Sequence, residues 1–188
     1  MLDSDEIWLV RADGEDARQV TPRSLRASQP CWSPDGQRIA FMRRRIAANT
    51  YGANIWTARP DGTDLVQLTA NPPDVEGNTR PRWSPKGGLI LYLFRGGLSY
   101  MPPRVSDGSE DSWTFWLASP GDGCMINSAE WSPQGDGIVY INELVDLGDN
   151  EKPWSEVWCR GSDTEAKPRK VCRLNEYISG ISWGLTSY

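Results

Sequence analysis

Short apolar runs of about strand length recur along this chain, and polar residues, glycine and proline separate each run from the next. Three of them span residues 38–41, 89–93 and 138–141. They are rich in β-branched and aromatic residues, and glycine or proline bounds them, as is typical of β-strands. The pattern therefore predicts an all-β protein built from short strands.

Each of these runs follows the same short motif, in which a Trp-Ser-Pro tripeptide is followed by one variable residue and then by glycine. The copies occupy residues 31–36, 82–87 and 130–135, and their tryptophans lie 51 and 48 positions apart, with Trp183 another 52 further on. Proline presets φ in a tight turn, and glycine accepts the positive φ that closes it. Self-similarity at this period predicts repeated small β-sheets, as in a β-propeller.

A second motif, an aliphatic residue or Phe followed by Trp, alternates with the first. It occurs at residues 6–10, 54–58, 114–118 and 156–159. Three copies lead through a turn such as Asp-Gly, a strong hairpin signal, into a further strand at residues 18–21, 66–69 and 170–173. A unit thus reads as four strands, A to D. The third unit departs from this order, because little room for strand D remains between Trp116 and Cys124.

These motifs in this order resemble the WD40-like repeat of the TolB family, and the resemblance covers nearly the whole chain. It implies a bacterial β-propeller of four-stranded antiparallel blades, whereas the alternative is an unrelated β-sandwich with coincidental turns. We expect one domain over 1–188, with units at about 1–27, 28–74, 75–126 and 127–188. That gives about four blades. The ring closes through a blade shared by both termini, or the chain is a partial propeller, since TolB-like proteins usually carry more blades.

Most of the ten tryptophans occupy repeat positions, and we expect these to be core residues: Trp8, Trp32, Trp56, Trp83, Trp116, Trp131, Trp158 and Trp183. Trp113 and Trp154 fall outside the pattern, in predicted loops.

The predicted connections differ sharply in length. Joins A–B and C–D are tight turns, whereas the B–C joins at residues 42–54, 95–112 and 142–155 are long. In an antiparallel blade the B–C and D–A connections share one face, and loops on a rigid scaffold commonly carry binding residues. Interfaces favour Tyr, Trp, Met and Arg. The candidate partner-binding residues are Arg44, Tyr51, Tyr100, Met101, Arg104, Trp113 and Trp154. Alternatively, each loop folds over its own blade.

The charge and hydropathy of the chain narrow the choice of partners and compartment. A net charge of −5 argues against general binding to nucleic acid or anionic membranes. Residues 43–45 form the one basic cluster, which we interpret as a solvated strand end. No apolar run reaches the ~20 residues that span a bilayer, and the first residues do not read as a signal peptide. The sequence as given therefore predicts a cytoplasmic protein; the TolB resemblance implies periplasm or cell surface if a segment precedes it.

The chain contains no histidine, which excludes Ser-His-Asp and Cys-His catalysis and His-ligated metal sites. Residues 180–184 match the G-x-S-x-G pattern of hydrolases, but Trp183 occupies the strand A position and no base follows. Polysaccharide-lyase propellers, which this repeat also resembles, rely on metal sites that contain histidine. We therefore expect no enzyme activity and no cofactor. Acidic residues at 107–111 and 146–151 offer calcium ligands without EF-hand spacing, and we interpret them as solvated.

Four cysteines show no Cys-x-x-Cys spacing, which argues against structural zinc. Cys159 and Cys172 lie on neighbouring predicted strands, where a disulfide is one hypothesis and small buried side chains are the alternative.

The function predicted from these features is a non-catalytic protein-interaction module, a scaffold, subunit or assembly factor that docks another protein through its long-loop face. It would oligomerise if its ring is incomplete. One alternative is a propeller that binds carbohydrate or another small ligand, with Trp113 and Trp154 as stacking platforms. The other is the accessory propeller of a larger hydrolase.

Overall fold

The computed structural model describes residues 5–47, 50–70, 77–103, 115–119, 121, 123–145, 153–163 and 165–183, without the side chains at 46–47, 50–51 and 115. These residues form fourteen β-strands and one 3₁₀ turn, Arg23–Leu25. The strands are β1 Trp8–Leu9, β2 Arg18–Gln19, β3 Ala27–Trp32, β4 Ile39–Ala47, β5 Thr50–Ala58, β6 Val66–Gln67, β7 Thr79–Trp83, β8 Ile90–Phe94, β9 Gly97–Met101, β10 Phe115–Ala118, β11 Cys124–Trp131, β12 Gly137–Leu144, β13 Ser155–Gly161 and β14 Arg169–Leu174. No helix in this part of the chain is long and apolar enough to cross a membrane.

The strands form three antiparallel sheets of four strands and one of two. We call β3–β6 blade 1, β7–β10 blade 2, β11–β14 blade 3, and the pair β1–β2 the half-blade. Within each blade the strands follow one another in chain order, and neighbouring strands run antiparallel. The predicted all-β fold of four-stranded antiparallel propeller blades is confirmed.

The Trp-Ser-Pro motif forms the tight turn between the first two strands of each blade. In blade 1 the amide of Ser33 donates to the carbonyl of Arg38 at 2.9 Å, and the amide of Gly36 donates back to Ser33 at 3.0 Å. Gly36 takes a φ of 68°, which strains a residue with a Cβ. The serine hydroxyl also accepts from the amide of Arg38 at 2.8 Å. The same serine and glycine amides bond across the turns of blades 2 and 3.

The half-blade has the same hydrogen bonds as the third and fourth strands of blade 1. The amide of Ile7 donates to Oγ1 of Thr21 at 2.9 Å, just as the amide of Ile55 donates to Oγ1 of Thr69 at 2.9 Å. In both cases the same isoleucine carbonyl accepts from the amides of the threonine and the residue before it. β1 and β2 are therefore the third and fourth strands of a blade.

Successive blades bury an apolar core between them, and a tryptophan from the first strand of the later blade lies in each core. Trp83 packs with Ala40 and Ile55 of blade 1. Trp131 packs with Leu91 and other residues of blade 2. Trp131 also donates from Nε1 to the carbonyl of Arg82 at 3.0 Å, so burial and a hydrogen bond both fix the step from blade 2 to blade 3.

The first and last strands of the described chain, β1 and β14, lie in different sheets. β1 pairs with β2, and within the described residues no ladder joins β1–β2 to blade 3 or to the segment that follows it. Residues 175–183 carry no strand, although the ring of Trp183 lies 3.3 Å from the position of a Cβ on Gly137 of blade 3. The three blades and the half-blade fit both predicted forms, the ring of four blades and the partial propeller.

Two predictions about the middle of the chain are wrong. Phe115–Ala118 is the fourth strand of its blade, not the third, because Gly97–Met101 pairs with β8 as the third strand and with β10 on its other edge. The B–C joins of blades 1 and 2 are short, not long. β4 extends to Ala47 and β5 begins at Thr50, and Arg95-Gly96 alone connects β8 to β9. The B–C connection of blade 3, from Leu144 to Ser155, is long as predicted.

The prediction that all eight repeat tryptophans are core residues is also wrong. Trp83 and Trp131 are buried, and Trp56 and Trp158 are partly buried against apolar clusters. Four others are 38–55% exposed: Trp8, Trp32, Trp116 and Trp183. Burial of these side chains requires a complete neighbouring sheet. Trp32 follows a half-blade of two strands, and Trp116 lies on the outer strand of blade 2.

The disulfide hypothesis is wrong as well. The register of β13 and β14 places Cys172 opposite Val157 and Cys159 opposite Arg169. All four cysteines are free thiols. Burial raises the pKa of the Cys31 thiol, whose sulfur accepts from the amide of Trp83 at 3.1 Å. Cys31 therefore joins the first strands of blades 1 and 2.

Candidate functional site

Among the candidates that lie within the described residues, the structure does not gather the predicted partner-binding residues on one surface. Tyr100 and Met101 lie in β9 and are buried, so their prediction as exposed loop residues is wrong. Both belong to the apolar clusters that pack blade 2 against its neighbours. The alternation of Leu98 and Tyr100 with Ser99, in a strand that follows the Arg95-Gly96 turn, was the sequence signal for this placement. Replacing them would remove core contacts and could not test binding alone.

Two other candidates, Arg44 and Tyr51, lie on blade 1. Arg44 is in β4, with its guanidinium 3.6 Å from the carboxylate of Asp5. Tyr51 lies in β5 opposite Ile46, and its side chain is outside the description. Arg104 and Trp113 fall outside the described residues, as do both acidic segments proposed as calcium ligands.

Trp154 does lie on the face that carries the B–C and D–A connections, within a group of exposed side chains. The guanidinium of Arg173 covers its ring at 4.4 Å. Val145, Leu174 and Tyr177 are exposed beside it. We call Val145, Trp154, Arg173, Leu174 and Tyr177 the blade-3 rim.

Hydrogen bonds hold the backbone of the blade-3 rim in place. The amide of Leu144 donates to the carbonyl of Trp154 at 3.3 Å. The phenol of Tyr177 donates to the carbonyl of Leu144 at 3.1 Å. The amide of Val145 donates to the carbonyl of Gly123 at 2.9 Å. The rim is therefore an ordered apolar and aromatic surface with a cation in it, the composition that protein interfaces favour.

A cavity of about 300 Å³ lies next to the rim, between blades 2 and 3. The start of β7, the end of β8 and the start of β11 form its walls. Leu93, Phe94, Met125 and Ile126 supply apolar surface. Asn127, which also lines the cavity, donates from Nδ2 to the carbonyl of Ile178, the residue after Tyr177 of the rim, at 3.1 Å. One hydrogen bond therefore links a residue of the cavity wall to the segment that follows Tyr177.

The opposite side of the same blade interface is closed by polar contacts. Arg82 of blade 2 forms an ion pair with Glu130 of blade 3 at 3.0 Å. Arg160 of β13 is buried and donates from Nη1 to the carbonyl of Leu117 in β10. These contacts join different strands of blades 2 and 3 at a place away from the residues that line the cavity.

Burial of its phenol raises the pKa of Tyr140 to about 12, and the charge of Arg160 offsets part of that rise. A phenol whose pKa is higher in the folded state stabilises the fold below its unfolded pKa, near 10.0, and that contribution is lost as pH rises towards 12. We therefore expect the free energy of unfolding to fall less between these pH values in Tyr140→Phe than in the unsubstituted protein. Denaturant midpoints measured across this range test it, and parallel pH curves for the two proteins would contradict it.

No family model matches the chain. It is 28% identical over 145 residues to the uncharacterized protein Atu1656 of Agrobacterium fabrum, covering 72% of this chain and 46% of that protein. It is 24% identical over 132 residues to the uncharacterized peptidase YuxL of Bacillus subtilis, covering 66% of this chain and 19% of that one. The chain thus spans less than half the length of these relatives.

Among solved structures, the chain superposes on a protein assigned as TolB in Agrobacterium tumefaciens. The TM-score is 0.66 at 20% identity, over 95% of this chain and 61% of that one. The fold is that of the TolB-like β-propellers. TolB from Acinetobacter baumannii also matches, with a TM-score of 0.57 at 16% identity over 88% of this chain and 37% of that one. An oligogalacturonate lyase in complex with manganese matches with a TM-score of 0.63 at 12% identity, over 92% of this chain and 48% of that one. Enzymes therefore share this fold.

Proposed function

We propose that this TolB-like propeller segment is a non-catalytic protein-interaction module and that its partner docks on the face of the B–C and D–A connections. The observation that carries the proposal is the blade-3 rim, where Val145, Leu174 and Tyr177 remain exposed although hydrogen bonds order the chain around them. Exposed apolar side chains held rigidly cost little conformational entropy on binding. The rim is therefore suited to a protein surface that covers it.

The chemistry of the chain supports a binding role. It has no histidine, and within its described part no group of three or more acidic or cysteine side chains is placed to hold a metal ion. Residues with lowered pKa values, such as Asp35 and Asp136, accept hydrogen bonds from Ser33 and Ser132 of the Trp-Ser-Pro turns. These shifts arise from turn structure and supply no general acid or base for catalysis.

Site-specific photocrosslinking in the native cells tests the docking face. A photoreactive phenylalanine at Val145 of the rim is expected to form discrete adducts with one partner protein. The matched control is the same group at Gln37, which is exposed on the turn at the opposite face. Adducts from Gln37 alone, or adducts from neither site, would contradict the proposal.

A second candidate function is that of an accessory propeller in a larger hydrolase. Two similarities favour it. One is to the peptidase YuxL, and the other is to a prolyl endopeptidase structure with a TM-score of 0.59 at 14% identity, over 89% of this chain and 26% of that chain. A serine-hydrolase activity probe applied to the native protein separates the two. Labelling of a polypeptide that contains this propeller would support the accessory role, and its absence together with Val145 adducts would support the interaction module.

A further inference from the structure

The outer strand of blade 3, β14, has one edge that no described strand covers. β14 pairs with β13 on one side and is the last strand of its sheet. All six of its residues are exposed. Within the described residues the outer strands of the other sheets are shorter, with two residues in β2, two in β6 and four in β10. An exposed edge strand of this length presents unpaired backbone N–H and C=O groups to which an extended chain can bond.

Three of the six residues of β14 are cations: Arg169, Lys170 and Arg173. The ammonium of Lys170 pairs with the carboxylate of Glu156 at 3.0 Å. The two arginines form no ion pair within the described part of the chain. In a chain of net charge −5, this edge is a local site of positive charge, and such a site favours an acidic partner.

The register of β13 and β14 places these cations on both faces of the sheet. Arg173 lies opposite Glu156, and Lys170 is on the same face because its ammonium pairs with that carboxylate. Arg169 lies opposite Cys159. Cys159 is three positions from Glu156 on one strand, so these two residues point to different faces, and Arg169 shares the face of Cys159. Acidic side chains on either face of an added strand can therefore meet a cation.

The same features disfavour a second copy of β14 at this edge. Antiparallel pairing of two copies would bring the cations of one strand beside those of the other, and like charges across a sheet destabilise the pair. Val171 is the additional residue of a β-bulge, because Lys170 and Cys172 lie opposite consecutive residues of β13. Charged side chains and bulges are features by which edge strands avoid pairing with one another. The edge therefore suits an extended strand of opposite charge better than its own copy.

We propose that an extended acidic segment of the partner protein pairs with the outer edge of β14 as a fifth strand of blade 3. Main-chain hydrogen bonds hold the segment, and its carboxylates pair with Arg169 and Arg173. Apolar residues between the acidic ones contact Val171 and Leu174, which are 51% and 39% exposed. This inference rests on the proposed function, because Arg173 and Leu174 also belong to the blade-3 rim on which the partner docks.

Titration with the peptide acetyl-Val-Glu-Val-Glu-Val-Glu-amide, followed by NMR shifts of the β14 amides, tests the site directly. Two peptides of the same length are the controls. In one, lysine replaces every glutamate. In the other, every backbone nitrogen of the acidic sequence is methylated, so that the peptide keeps its charge but cannot donate main-chain hydrogen bonds. We expect saturable shifts of the Cys172 and Arg173 amides with the acidic peptide, and we expect each control to bind at least about tenfold more weakly.

The Arg169→Glu variant separates binding from folding. Arg169 is exposed, so the variant should keep its thermal midpoint, and it should weaken binding of the acidic peptide about tenfold or more because it places like charges together. The matched control is Arg18→Glu, at an exposed arginine on the outer strand of the half-blade, which should leave binding unchanged.

Four results would overturn the proposal: no binding of the acidic peptide, equal binding of the acidic peptide and either control peptide, unchanged binding in Arg169→Glu, or an equal loss in Arg18→Glu. Any of these with Val145 adducts intact would leave the docking face standing without an added strand. Loss of the Val145 adducts would instead contradict the proposed function itself.

Discussion

Trp131→Ala is expected to destabilise the protein by about 3–5 kcal/mol, the range for a buried tryptophan truncated in a packed core. Trp131 is 3% exposed and lies in the apolar cluster that joins blades 2 and 3. Its Nε1 donates to the carbonyl of Arg82. The substitution therefore opens a cavity at a blade interface and also leaves a carbonyl without its donor. Thermal and denaturant midpoints of the variant measure the loss.

Trp116→Ala is the matched control for that prediction. Trp116 is a tryptophan of the same chain that lies on the outer strand of blade 2, is 51% exposed and has its ring centroid 5.8 Å from that of Phe94. Its loss should cost about 1 kcal/mol, the energy of one aromatic pair. Similar destabilisation by both substitutions would show that the blade interface does not depend on the buried ring.

Arg160→Lys is expected to destabilise the protein by about 2–3 kcal/mol although the charge is kept. Arg160 donates to three carbonyls: from Nη1 to Leu117 of blade 2, from Nη2 to Asp163 at 2.8 Å and from Nε to Gly161 at 3.2 Å. A lysine ammonium on a flexible stem cannot reach these acceptors in the same planar arrangement. The buried carbonyl of Leu117 and two partly buried carbonyls then lose their donors, and the blade 2–3 contact weakens.

Arg173→Lys serves as the comparison for Arg160. Arg173 is exposed and contacts the ring of Trp154 from the surface, so the exchange should change the thermal midpoint little. Equal loss in the two variants would contradict the role given to the Arg160 guanidinium. Equal stability of Arg160→Lys and the unsubstituted protein would mean that charge alone, and not the fork of donors, joins the blades.

Local signals in the sequence predicted the turns and the first two strands of every blade. The Ser-x-x-Gly hydrogen bonds close within six residues, from Ser33 to Arg38, so nothing distant can alter them. In blade 2 the Phe115-Trp116 pair imitates the motif of third strands elsewhere, yet it occupies the fourth strand. The position of this pair in the blade is decided by the pairing of Gly97–Met101 with β8, and that pairing depends on the Arg95-Gly96 turn.

Sequence patterns could not predict the cavity between blades 2 and 3, for a different reason. Its walls come from β7, β8 and β11, so Arg80, Phe94 and Asn127 meet only after two blades have packed together. Exposure of the tryptophans is also a property of neighbouring sheets. Trp32 and Trp131 hold the same motif position, but one is exposed and the other buried.

The contact of each Trp-Ser-Pro turn with the turn before it bears on how such chains change length during evolution. A Cβ on Gly135 would lie 3.2 Å from Oγ of Ser84, and one on Gly87 would lie 3.5 Å from the ring of Pro34. The turns of blades 2 and 3 therefore each lie against the same motif in the blade before them. Duplication of one unit would therefore insert a blade that fits the blades on both sides of it. Related chains can gain or lose whole units in this way while the turn contacts between the other blades stay the same.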